Sequence, residues 1–201
     1  MVQPRFKLSY FDLPIRAELA RLAFTFGGIE FEDDRFTISE WKERKYSYPL
    51  HHVPVLEVDN KVYVQSMAIA RYAGRLAGIY PTDPMAALNV DMMLDTLLEV
   101  MEKYIDVRYR ITDIDMQEEK AKEAMTEFLP TIFSFVEKSI QGKFLFGDSI
   151  TIADLFLFDT VATTMPLAFP DYSLASYPKI QAIVEAVKTS PRIGAYLAAQ
   201  K

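Results

Sequence analysis

The sequence predicts an α/β domain followed by an all-α domain. Three observations carry this expectation. Strand-like alternation and helical spacing interleave in the stretch before Ile79. Ile79-Tyr80-Pro81-Thr82-Asp83-Pro84 then punctuates the chain with two prolines. Beyond it, apolar residues recur only at helical spacing. The expected boundaries are 1–79 for the α/β domain, 80–85 for the linker and 86–201 for the helical domain.

Each element has a local reason. Arg5 to Phe11 alternates around Phe6, Leu8 and Tyr10, the period of a half-buried strand. Pro14 opens a helix in which Ile15, Leu19, Leu22, Ala23 and Phe26 share a face, and Gly27-Gly28 stops it. Phe31 to Phe36 reads as a second strand. Ser39 is the expected N-cap of a short helix carrying Trp41 and Lys45; Lys42 at its third position leaves no capping box. Val53 to Val58 and Lys61 to Val64 flank Asp59-Asn60 as a hairpin. Ser66 is expected to cap a helix through Ile69, Tyr72, Ala73 and Leu76. In the second region, Ala86 to about Ile111 places Leu88, Met92, Leu97, Leu98 and Met101 at core spacing. Further helices are expected over Met116 to Ile140 (interrupted at Pro130), Ile152 to Phe169, Tyr177 to Lys188 and Pro191 to Ala199.

Composition narrows the function. The chain has 201 residues, 50% hydrophobic and 25% charged, enough apolar content to build a sizeable core. Its net charge of −6 supplies no basic surplus to neutralise phosphates, which argues against a nucleic-acid partner. With no cysteine, disulfides, thiolate nucleophiles and cysteine-based zinc sites are excluded. The opening Met-Val-Gln-Pro-Arg-Phe-Lys lacks a signal-peptide core, and no run reaches the roughly 18 apolar residues of a spanning helix. A cytoplasmic protein with no membrane partner is the expectation.

Three positions invite chemistry. Tyr10 sits near the end of the first strand, just before a turn into a helix, the mouth of an open α/β domain. By position alone it reads equally as a core tyrosine. Pro54 at a loop–strand junction removes a ladder donor; a cis bond there would turn the backbone of Val53 toward an extended peptide. Gln65-Ser66 stands where a strand becomes a helix, whose free N–H groups suit a carboxylate, although an ordinary serine cap has the same signature.

Together, Tyr10-Phe11-Asp12, Arg16-Ala17-Glu18, Val53-Pro54-Val55-Leu56 and Gln65-Ser66-Met67-Ala68-Ile69-Ala70-Arg71-Tyr72 resemble the cytosolic glutathione transferases, most closely the sigma class, which includes haematopoietic prostaglandin D synthase. The resemblance spans nearly the whole chain. It implies a thioredoxin-like first domain, a helical second domain, a homodimer, and glutathione as co-substrate with no metal. It implies catalytic roles for Tyr10 and Arg16. Glutathione would be bound by these two with Trp41, Lys45, His52, Val53, Gln65 and Ser66, and by Glu99 reaching across the dimer. The physics agrees. A cysteinyl thiol titrates near about 8.5, so little is thiolate at neutral pH. A neutral tyrosine hydroxyl aimed at the sulfur, with Arg16 nearby, stabilises the anion. Lys45 and the Trp41 indole N–H suit the glycyl carboxylate, and Gln65-Ser66 the γ-glutamyl end.

The implied activity is glutathione attack on small hydrophobic electrophiles, held between the domains against Phe11, Leu13, Met101, Ile105 and Tyr109. By spacing alone these side chains read equally as core. A hydrophobic-ligand carrier or crystallin-like protein, and a glutathione-dependent prostaglandin isomerase, are the alternatives. Leu98 removes a carboxylate from the synthase's acidic cluster and Asp106 replaces its tryptophan shelf, which puts cation activation and isomerisation in doubt. Pro14-Ile15 departs from the Arg-Gly of many relatives and fills the loop beside the thiol. His52 stands where the family often has Lys or Gln, and a metal site at His51-His52 lacks an accompanying carboxylate. Thr151-Ile152-Ala153-Asp154 has a capping-box layout, with Ile150 and Leu155 spaced as a hydrophobic staple, so Asp154 reads as structural.

Overall fold

The computed structural model describes residues 4–200, so part of the opening segment read for a signal peptide lies outside the described residues. The chain divides into two compact units, one running to Tyr80 and the other from Pro81 to Leu197, with the residues from Ala198 grouped with the first.

The first unit is built on a four-stranded sheet of order β2-β1-β3-β4. β1 (Phe6–Phe11) and β2 (Glu32–Phe36) are parallel, joined through α1 (Ile15–Gly27). β3 (Val55–Val58) runs antiparallel to β1 and pairs with β4 (Lys61–Val64). Asp59 and Asn60 both have positive φ (48° and 68°), the backbone a two-residue primed turn demands. Pro54 is excluded from β3, whose ladder starts one residue later. α1 stops at Gly28, which is left-handed at φ 65°. A side chain at Gly27 would meet the Ala77 Cβ at 2.8 Å, so the glycine permits the close approach of α1 to the segment after α3 (Ser66–Leu76).

Two expected caps are corrected. Thr37, not Ser39, caps α2 (Ile38–Arg44), and a capping box does form: Glu40 N–H donates to the Thr37 hydroxyl at 3.3 Å, and Thr37 N–H donates to the Glu40 carboxylate at 2.7 Å. Thr37-x-x-Glu40 outcompetes a serine whose third residue is lysine. Lys45 lies just past α2, at the start of a 3₁₀ turn. Ser66 is the first residue of α3 rather than its cap; Gln65 occupies that place with φ 78° and makes no side-chain cap bond.

The second unit is helical. α4 (Pro84–Ile105) is capped by Asp83, whose carboxylate accepts from Ala86 N–H at 2.9 Å, and it continues into a π turn over Asp106–Arg110. Its core stripe is Val90, Met93, Leu94, Leu97, Val100, Met101 and Tyr104. Leu88 and Met92, expected in the core, are 58% and 42% exposed. α5 (Ile114–Glu123) and α6 (Leu129–Ser139) are joined by a π turn over Ala124–Phe128, so Pro130 sits in the first turn of a new helix, where its missing N–H costs nothing. α7 (Ile152–Asp159) is buried along its whole length and leads through a π turn to α8 (Met165–Ala168). α9 (Pro178–Lys188) receives its cap from afar: Lys179 and Ile180 N–H both donate to the Glu137 carboxylate of α6 at 3.0 Å. α10 (Pro191–Ala199) follows, and its residues as far as Leu197 complete the unit. Among the described residues no helix is long and apolar enough to cross a membrane.

Candidate functional site

Sheet register gathers four sequence-predicted residues. Ser9 of β1 pairs with Val55 of β3, and Val55 pairs with Val64 of β4. Tyr10 lies one residue beyond Ser9, Val53 two before Val55, and Gln65-Ser66 directly after Val64. With strands about 4.8 Å apart, these segments share one end of the sheet across about 10 Å. The Val53–Pro54 bond is cis. Val53 is half-buried, Gln65 is exposed and Ser66 half-buried at the N-terminus of α3. This is the carboxyl end of β1 and β2, where open α/β sheets receive ligands.

Tyr10 is only 5% exposed. It meets Phe11 edge-on, with ring centroids 5.3 Å apart. Phe11 points to the opposite face, against Phe36 and Trp41 at 5.2 and 5.4 Å. Trp41, Phe36 and Tyr48 stack in a near-parallel cluster, with Trp41 5.9 Å from Phe36 and 6.1 Å from Tyr48. Arg44 covers Phe36 at 4.8 Å and donates to Asp34 at 3.0 Å. The aromatic cluster and this ion pair fix α2, and thereby Trp41 and Lys45. Burial alone would push the Asp34 carboxyl up. Hydrogen bonds from Arg44 and Ser9 and the charge of Lys7 outweigh it and hold the group below the usual carboxylate range.

Arg16 is half-buried in the first turn of α1, and Leu13 half-buried in the turn before it. His52 is exposed; His51 is also exposed, its Nδ1 3.2 Å from the Lys45 carbonyl oxygen. Among the described residues no group of three or more His, Asp or Glu is arranged to hold a metal ion. Glu99, Met101, Ile105 and Tyr109 belong to the second unit. Glu99 is exposed, Met101 buried and Ile105 half-buried on α4, while Tyr109 in the following π turn is 54% exposed, its hydroxyl 3.2 Å from that of Tyr104.

Sequence reading missed Arg21. It is wholly buried in α1, and its guanidinium carbon lies 5.9 Å from the Tyr10 ring centre. Its signal was present: Ala17-Glu18-Leu19-Ala20-Arg21-Leu22-Ala23-Phe24 makes about two helix turns, apolar on nearly every side and buried all round, leaving the arginine no outward face.

The chain matches the family models for the glutathione S-transferase N-terminal domain over residues 6–75 and C-terminal domain over residues 98–200. It is 32% identical to S-crystallin 4 of Enteroctopus dofleini over 209 residues, covering 96% of each chain. It is 32% identical to hematopoietic prostaglandin D synthase of Gallus gallus over 195 residues, again 96% of each. The solved sigma class glutathione S-transferase of Fasciola hepatica superposes with a TM-score of 0.88 at 30% identity, over 100% of this chain and 98% of that one. The sheet, the following helices and both family models agree: the chain belongs to the glutathione S-transferase family, in its sigma-like class.

Proposed function

We propose that this transferase activates the glutathione thiol through Tyr10 and directs it at small hydrophobic electrophiles. The observation that carries the reading is the register that brings Tyr10, Val53 and Gln65-Ser66 to one end of the sheet. The Tyr10 hydroxyl donates to the sulfur and stabilises the anion, and Arg16 adds positive charge. Val53 pairs its backbone with the cysteinyl unit. Gln65 and Ser66 take the γ-glutamyl carboxylate at the start of α3, where free N–H groups favour an anion. Trp41, Lys45 and His52 hold the glycyl end. Lowering the thiol pKa by about two units requires roughly 2.7 kcal/mol of differential stabilisation, within reach of a charge-assisted hydrogen bond aided by a nearby cation.

The acceptor substrate rests beside the thiol against Phe11 and Leu13, and the enzyme works in the cytoplasm as a homodimer. The dimer is supported by α4, where Met85, Leu88 and Met92 are 65%, 58% and 42% exposed. Glu99 continues that stripe at helical spacing, which suits its reaching a glutathione held by a second copy.

Turnover of 1-chloro-2,4-dinitrobenzene tests the reading. The native protein conjugates it, and Tyr10→Phe still binds glutathione but loses on the order of 10²-fold in kcat. Binding without native turnover would favour the structural role that an S-crystallin relative suggests. A second reading, glutathione-dependent isomerisation of a prostaglandin endoperoxide, is favoured by the prostaglandin D synthase relative and uses the same thiol. Conversion of the endoperoxide to a single product would establish it.

A further inference from the structure

A buried charge stands behind Tyr10. Arg21 is wholly shielded from solvent, yet every nitrogen of its guanidinium is engaged. Nη1 donates to the Leu13 carbonyl at 2.8 Å and to Glu18 at 3.2 Å. Nε donates to Asp33 at 3.0 Å and Nη2 to the Phe11 carbonyl at 3.4 Å. Two of these acceptors are the carbonyls of Phe11, which ends β1, and of Leu13, in the turn after it, so one side chain pins the exit from the strand. The guanidinium carbon also lies 5.9 Å from the centre of the Tyr10 ring, within cation–π range. Burying a guanidinium is costly, and an apolar side chain of similar volume would fill the space with less desolvation. The charge therefore calls for a use beyond packing.

We propose that Arg21 is a positioning residue for Tyr10 and the standing positive charge that favours the thiolate form of bound glutathione. The proposal rests on the reading of Tyr10 given above. The surrounding charges set the size of the effect. Glu18 and Arg16 share α1 with Arg21, and Asp33 and Arg35 approach from β2. Arg35 donates to Asp33 at 2.7 Å and reaches Asp12, in the turn, at 3.3 Å. Asp33 thus divides its charge between two arginines, and removing that charge strengthens the field of Arg21. A charge this deep is only weakly screened by salt.

The test is a pH titration of the thiolate absorbance of glutathione bound to the full-length protein, with glutathione affinity measured alongside. Arg21→Met is expected to raise the thiol pKa by about 0.5–1 unit, as loss of a buried charge behind the Tyr10 ring implies. Asp33→Asn keeps a hydrogen-bond acceptor and is expected to lower it by about half a unit, with affinity changed less than about threefold. Opposite shifts are the signature of a field. A purely structural role would move both variants upward or weaken affinity without moving either titration. If Arg21→Met does not fold, the direction of the Asp33→Asn shift decides, and an unchanged or raised value overturns the proposal. Tyr10→Phe in the same series separates the two ideas. A native thiol that titrates like free glutathione overturns the Tyr10 reading itself. A depressed native value that Tyr10→Phe restores, while Asp33→Asn leaves it unmoved, overturns only the role of Arg21.

Discussion

Asp154 shows what one buried carboxylate can hold together. Its Oδ2 accepts from the Thr151 N–H at 2.7 Å and the Thr151 hydroxyl at 2.8 Å, and its Oδ1 from the Leu145 N–H at 2.8 Å. It is fully buried, and burial pushes its carboxyl up against the pull of these donors. Asp154→Ala leaves buried N–H groups unpaired and is expected to cost about 2–4 kcal/mol, read as a fall in the urea midpoint. Equal midpoints for the two proteins would contradict this. The role of Asp154 was legible because its partner stands three residues away, within one helix turn. Arg21 was not: Glu18 stands three residues before it, but Asp33 approaches from a strand and two further acceptors are backbone carbonyls that sequence does not aim. A residue's chemistry is readable when all its partners are local; Tyr10, by position alone equally a core tyrosine, shares a sheet end with Val53 and Gln65 only through strand register.

At the scale of elements, α2 illustrates how a short helix is held where it is needed. Its capping box starts it, the Phe36–Trp41–Tyr48 cluster packs it, and Arg44 ties it to Asp34 of β2. Because the Asp34 carboxyl lies below its ordinary 3.8 in the folded protein, its contribution is present above the unfolded value and is lost as pH falls through the folded one. Asp34→Asn should therefore be less stable than the native protein by about 1–2 kcal/mol at neutral pH. The difference should shrink in acid, which urea unfolding across pH would reveal; a gap independent of pH would contradict the assignment. The hairpin was legible because Asp59-Asn60 is a strong turn signal, and α10 because Pro191 opens it cleanly. The start of α2 was misread because Thr37 and Ser39 are both capable caps, and only the glutamate at Glu40 distinguishes them. On α4 two apolar stripes coexist, and periodicity alone does not say which one faces the core.

For the whole molecule, the exposed stripe of Met85, Leu88 and Met92 is expected to be covered by a second copy. Sedimentation should show a dimer for the native chain and a monomer for the Leu88→Glu, Met92→Glu double variant; a native monomer would remove Glu99 from the site. The two-part organisation was legible because a change in periodicity needs no long-range information. How the candidate site is assembled was not, since it depends on strand pairing between segments far apart in sequence. The central claim is that Tyr10 stabilises a thiolate. Its most direct measurement is the pH titration of bound glutathione in the native protein and in Tyr10→Phe. The expected result is a native thiol well below the free value of about 8.5 and a return toward that value in the variant, with glutathione still bound. Coincident titrations in the two proteins would contradict the claim.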